Sequence, residues 1–263
     1  MELLVACKEA PIVESVQFAQ DNNLGIEIKS FTSPLIFQSD WQGLCDVIKK
    51  QLLSFKGART LHGVIYSGHF VWDRMNVKKF KENQEKILSI CYELEVKTLV
   101  VHSTFIPGLT SWKYKDWLDS QVDIWGHIAK IASENDIEIV IKNIVDEAPK
   151  NILEIIEMIN SPNLKACIDF GHLNLIPTTI PMLNWIDELK NSLTYIHVHN
   201  NNERYDSHSS LDNGTIDYNL IFNKFFDLQI SPKVAIEANS LTCAKASLDI
   251  INNMINAKSF SSS

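Results

Sequence analysis

Eight short apolar runs with β character recur along the chain, each followed by a stretch with helical spacing of its apolar residues. The runs are 3–7, 25–31, 60–66, 97–103, 137–143, 164–170, 193–199 and 233–239. The helical stretches are expected over 11–19, 41–55, 77–94, 113–134, from Pro149 onward, 180–190, 217–228 and 241–255. Strands that alternate with helices predict βαβ units and a parallel sheet, because parallel neighbours need a crossover between them. No Gly/Ser-rich linker interrupts the series, and 263 residues suit one large α/β domain. The expected fold is therefore a single (β/α)8 TIM barrel over 1–258, with 259–263 as a frayed tail. A doubly wound open sheet is the alternative, disfavoured because no glycine-rich loop follows the first strand.

Bulk properties narrow the partners. A formal charge of −8 and the lack of a Lys/Arg-dense stretch argue against nucleic acid as a partner. No apolar run is long enough to cross a bilayer, and the N-terminus lacks the basic start of a secretory signal. Five scattered cysteines without a CxxC pair suit free thiols in a reducing compartment, so a cytoplasmic location is expected. Nothing in the composition excludes a homo-oligomer.

Polar residues of one chemical kind fall where the strands end. The stretch LTYIHVHNNNERYDSHSSLDNG, 193–214, places His197 and His199 two residues apart and then Asp206 and His208 two apart. Residues i and i+2 of a strand share a face, so the two imidazoles of the strand point the same way. Strand three carries His62, strand four ends at His102, strand five at Lys142, strand six at Asp169 with His172 close behind, and strand eight reaches Glu237. Of the eight histidines, His127 alone sits in an expected helix. Active sites of (β/α)8 barrels form at the C-terminal ends of the strands. A carboxylate among apolar neighbours, as at Asp169 and Glu237, is costly to bury unless it is paired or metal-bound. Imidazole nitrogens and carboxylate oxygens together are the donors that hold a divalent cation. The bland reading of each histidine is a hydrogen-bonded core or surface residue; it explains single positions but not the series. His69 reads as a loop residue, and Glu27 as either a lid contact or a structural partner.

TLHG around His62, VVHS at His102, SPNLKACIDFGHLN, HVHNNNERYDSH and VAIEAN carry a resemblance over nearly the full length. The chain resembles the xylose-isomerase-like barrel superfamily, which contains sugar isomerases and epimerases together with endonuclease IV. The resemblance implies an inner metal site of Asp169, His199 and Glu237, with His197 the alternative to His199. It implies that His62, His102, His172, Asp206 and His208 stand at positions that hold further zinc ions in the endonuclease branch. It leaves His197, Arg204 and Asn143 to face a substrate. The implied cofactor is a divalent metal (Mn, Zn, Mg or Co), and the implied partner is a small carbohydrate. The implied reaction is isomerisation or epimerisation through an enediolate, with Glu237 as base and Lys142 or His172 as its partner acid. A multinuclear phosphoester hydrolase and a non-catalytic sugar-binding barrel are the alternatives. The departure is Lys142, which stands where the family has a glutamate ligand. It reads as a carbamylated bridging group, as an acid/base beside one metal, or as a lesion.

Overall fold

A computed structural model describes residues 1–7, 9–65, 74–109 and 111–261. His69 and Trp72 lie outside the described residues. The eight strands close into a barrel in chain order, all parallel. They are β1 (Leu3–Cys7), β2 (Gly25–Ile28), β3 (Arg59–His62), β4 (Thr98–His102), β5 (Glu138–Lys142), β6 (Leu164–Asp169), β7 (Leu193–Val198) and β8 (Lys233–Ala238). The helices are α1 (Ile12–Asp21), α2 (Trp41–Gln51), α3 (Arg74–Glu93), α4 (Ser111–Glu134), α5 (Lys150–Ile159), α6 (Phe170–Leu173), α7 (Met182–Leu189), α8 (Tyr218–Leu228) and α9 (Leu241–Ser261). Among the described residues no helix is long and apolar enough to cross a membrane.

Strands β2 and β3 stop earlier than their apolar runs suggest. Past Ile28 and past His62 the chain turns over the barrel mouth, with Ile65 N bonded to Thr32 O at 2.9 Å. Phe31 and Val64, beyond the strands, are buried in these loops, whereas Ile65 is exposed. The four-residue α6 is too short to leave a periodicity in the sequence. Helix α9 runs to Ser261, into the stretch expected to fray. Helix starts have local causes: Asp40 accepts from Gly43 N at α2, and Asp217 accepts from Asn219 N and Leu220 N at α8.

Two cores follow from the two faces of each strand. Outward residues such as Ile26, Leu61, Leu99, Ile141 and Ile168 pack against the helices. Inward residues Leu4, Val100, Val140, Cys167, Tyr195 and Ala235 fill the lower barrel as a separate apolar cluster. Two residues further along the same strands, the same face carries Ala6, His102, Lys142, Asp169, His197 and Glu237. A period of two thus sets a polar layer directly above an apolar plug, at the C-terminal end of the barrel.

The outer core is densely filled by aromatic side chains. Trp125 of α4 is fully buried, meets Phe80 edge-on at 5.8 Å and donates to Gln121 Oε1. Trp125→Ala is expected to cost about 3–5 kcal/mol, read from urea denaturation midpoints, because the emptied volume lies between two helices and the barrel wall.

Candidate active site

The deepest polar layer is a network of ion pairs and hydrogen bonds. Lys142 Nζ lies 2.9 Å from Asp169 Oδ2, 2.9 Å from His197 Nδ1 and 3.4 Å from Glu237 Oε2. His197 reaches Glu237 Oε2 with Nδ1 at 2.5 Å and Glu27 Oε2 with Nε2 at 2.8 Å. The second oxygen of Glu237 is held by Lys29. Tyr195 donates its hydroxyl to Glu27 Oε2 at 2.8 Å and also meets Thr60 Oγ1. Lys142, Asp169, His197, Glu237 and Glu27 are all buried. Glu27 is therefore a structural partner inside the barrel and not a lid contact.

The expected inner set needs one correction. Asp169 and Glu237 share a common centre with His197, not with His199. His197 is the register partner of Asp169 across β6 and β7, whereas His199 lies beyond the end of β7 and one layer higher. There it bonds Asp169 Oδ1 through Nε2 at 3.0 Å and groups with Asp169 and His172 on one side, His208 and Glu237 on the other. Its ring stacks on His208 with centroids 4.1 Å apart. The opposite side is closed by the backbone of Gly171, where a Cβ would meet the His199 ring at 1.9 Å.

Asp206 joins this outer layer. Its Oδ2 is 2.8 Å from His208 Nε2 and 3.6 Å from His172 Nε2. His62 and His102 face each other through Nε2 atoms at 3.1 Å, with the His102 ring 6.3 Å from that of His172. Asn143, expected to face a substrate, is fully buried; it accepts from Asp169 N at 2.8 Å and donates to Asp169 O at 3.1 Å. It fixes the β5–β6 edge and so the position of Asp169. His197 is enclosed as well, and Arg204 stands exposed in the loop after β7. Lys29, Tyr195, Thr60 and Gly171 are contributors that the sequence reading passed over. Lys29 had a visible signal, since it shares strand parity with Glu27.

Burial sets the charge states. It works to raise the Asp169 carboxyl, but His172, Lys142 and His199 outweigh it and hold the group well below the usual range. The same balance, with His197, Lys29 and Lys142 as the opposing charges, leaves Glu27 low. Burial pushes His62 and His102 well down, reinforced by Lys142. Burial lowers His199 to about 4, and nearby Asp169 offsets only part of that. Burial also lowers His208. Neutral imidazoles beside ionised carboxylates are the state in which these donors hold a divalent cation.

The two layers differ in whether they fit an ion. In the outer layer His199 Nδ1 is buried without a hydrogen-bond partner, 3.8 Å from Asp206 Oδ1 and beside His208. An orphaned imidazole nitrogen facing a carboxylate fits a metal. In the inner layer the centre of the donor set is taken by Lys142 Nζ. A carbamate on that nitrogen would add an anion against Asp169 and Glu237, so the contacts match an ammonium.

Two tests follow from this geometry. In metal-free protein, unfolded histidines take up protons below about 6.5 while folded His199 stays neutral until about 4. Stability is thus full above 6.5 and falls as pH drops toward 4, by about 3 kcal/mol for this group, at about 1.4 kcal/mol per pH unit. Chelator-treated protein should melt at steadily lower temperature from pH 6.5 to 4.5, and His199→Asn should flatten the slope. Gly171→Ala should displace the His199 ring and weaken zinc binding about 10–100-fold by calorimetry, as loss of an orienting contact does.

The sequence profile of a family described as a xylose isomerase-like TIM barrel matches residues 44–254. An uncharacterized protein of Methanocaldococcus jannaschii is 24% identical over 201 residues, covering 71% of this chain and 69% of its own. Among solved structures, a D-tagatose 3-epimerase-like protein superposes with a TM-score of 0.81 at 21% identity, covering 100% of both chains. A Thermus thermophilus protein soaked with zinc chloride superposes with a TM-score of 0.77 at 18% identity, covering 98% of this chain and 99% of its own. With a closed eight-stranded barrel and a family match across most of its length, the chain belongs to the xylose isomerase-like TIM barrel family.

Proposed function

We propose that the chain is an isomerase or epimerase of a small hydroxylated carbonyl compound, a sugar or sugar phosphate. The observation that carries this reading is the convergence of Asp169, Glu237, His172, His199 and His208 at the C-terminal mouth, beside an orphaned imidazole nitrogen. Epimerase-like proteins of the same fold support it. Asp169, His199, Asp206 and His208 are the groups that would hold a divalent ion (Mn, Zn, Mg or Co), with His172 beside them. When bound, such an ion supplies Lewis-acid polarisation of a substrate carbonyl or hydroxyl oxygen.

The protein's own groups would do the rest. Glu237, gripped by Lys29 and His197, is the group proposed to accept the proton from the carbon next to the carbonyl. His172, near the rim and less enclosed than the others, is proposed to return a proton from the mouth. The cations Lys29 and Lys142 provide the positive field that favours an enediolate over its neutral precursor. Arg204, exposed in the loop after β7, is proposed to meet a polar or phosphorylated end of the substrate.

A second reading, a multinuclear phosphoester hydrolase, is favoured by one observation. The His62/His102 pair and the Asp206/His208 pair supply more donors than a single ion needs. Two or more tightly held ions together with cleavage of an abasic-site duplex would favour it.

The proposal is tested by incubating ion-loaded protein with a panel of ketoses and their phosphates in D2O. Deuterium is expected at the carbon next to the carbonyl, together with a new stereoisomer. Glu237→Gln should slow the exchange about 10²–10⁴-fold, the usual contribution of a positioned acid or base. Absence of exchange across the panel, with ions bound, would overturn the proposal.

A further inference from the structure

The feature left over is the ammonium at the centre of the inner donor set. Asp169, His197 and Glu237 bring donor atoms within 4.8 Å of one another, the arrangement of three ligands around one ion. Lys142 Nζ touches all three, and its side chain is 1% exposed, so water does not compete for the position. An ammonium carries three N–H bonds and no lone pair, so it bridges acceptors but cannot join a coordination sphere. A divalent ion placed among the same atoms would stand in contact with a like charge. Two cations are already present from within: Lys29 and Lys142 face the three carboxylates Glu27, Asp169 and Glu237.

We infer that Lys142 is an internal cation that permanently fills the inner position, so that this position takes no metal and ion binding is confined to the layer around His199. Two consequences follow. Lys142 Nζ is packed against three side chains of the protein and is 1% exposed, which leaves no side of it open to a substrate. Lys142 is therefore a positioning residue that holds Asp169 and Glu237 in place, and not the acid that donates a proton in turnover. The layer around His199, by contrast, keeps its free donor nitrogen. This inference rests on the reading of the mouth as an ion-holding site given above. Its test reads ion binding and not turnover, so a chain that binds ions as described but converts no sugar would sink the earlier reading alone.

The test compares zinc retained after gel filtration, measured by elemental mass spectrometry, in the native chain, His199→Ala and His199→Ala/Lys142→Glu. The native chain is expected to retain zinc, His199→Ala to lose it, and the double variant to regain one ion per chain at the inner position. Zinc retained by His199→Ala with Lys142 intact would overturn the inference, as would a folded double variant that regains none. Should the double variant fail to fold, the native chain labelled with 15N-lysine decides. A slowly exchanging buried ammonium signal should be present without zinc and persist at zinc saturation, and its disappearance on saturation would overturn the inference.

Discussion

The structure depends on keeping a set of ions dry. Asp169, Glu237, Glu27 and Lys142 lie within a barrel whose lower half is sealed by Leu4, Val100, Val140, Cys167, Tyr195 and Ala235. Charges removed from water in this way are tolerated when each meets an opposite charge or a hydrogen bond. Here the network is nearly closed, from Tyr195 and Glu27 at its base through His197 and Lys142 to Asp169. Such a layer is rigid because removing any member would leave a partner buried and uncompensated. The outer layer inherits this rigidity: Asp169 binds Lys142 with one oxygen and His199 with the other.

The same arrangement divides the labour between layers. The inner one is tied together by protein contacts and fixes the positions of the two strand-end carboxylates. The outer one carries an imidazole clamped between the Gly171 backbone and the His208 ring, with one nitrogen unengaged. Geometric precision at the mouth is thus supplied from below by ion pairs and from the side by a glycine that permits close approach.

Much of this was legible in the chain because strand periodicity and strand order do most of the placing. The eight βα units and the strand-end positions of His102, Lys142 and Asp169 follow from apolar spacing. The choice between His197 and His199 did not, for a physical reason: residues two apart share a face, and parity cannot say which layer each occupies. That depends on where β7 ends and on its register with β6. The role of Asn143 was hidden because a neutral amide after a lysine gives no hint that it will bridge to the backbone of the next strand. Lys142 announced itself as an anomaly, but the reach of its ammonium into the centre of the donor set is a property of four strands at once.

The most direct measurement of the central claim is anomalous diffraction from crystals of the native protein grown with zinc. The account predicts anomalous density beside His199, and Lys142 Nζ still within hydrogen-bond distance of Asp169 and Glu237, with no peak among Asp169, His197 and Glu237. A zinc peak at that inner position, with the lysine swung aside, would contradict it.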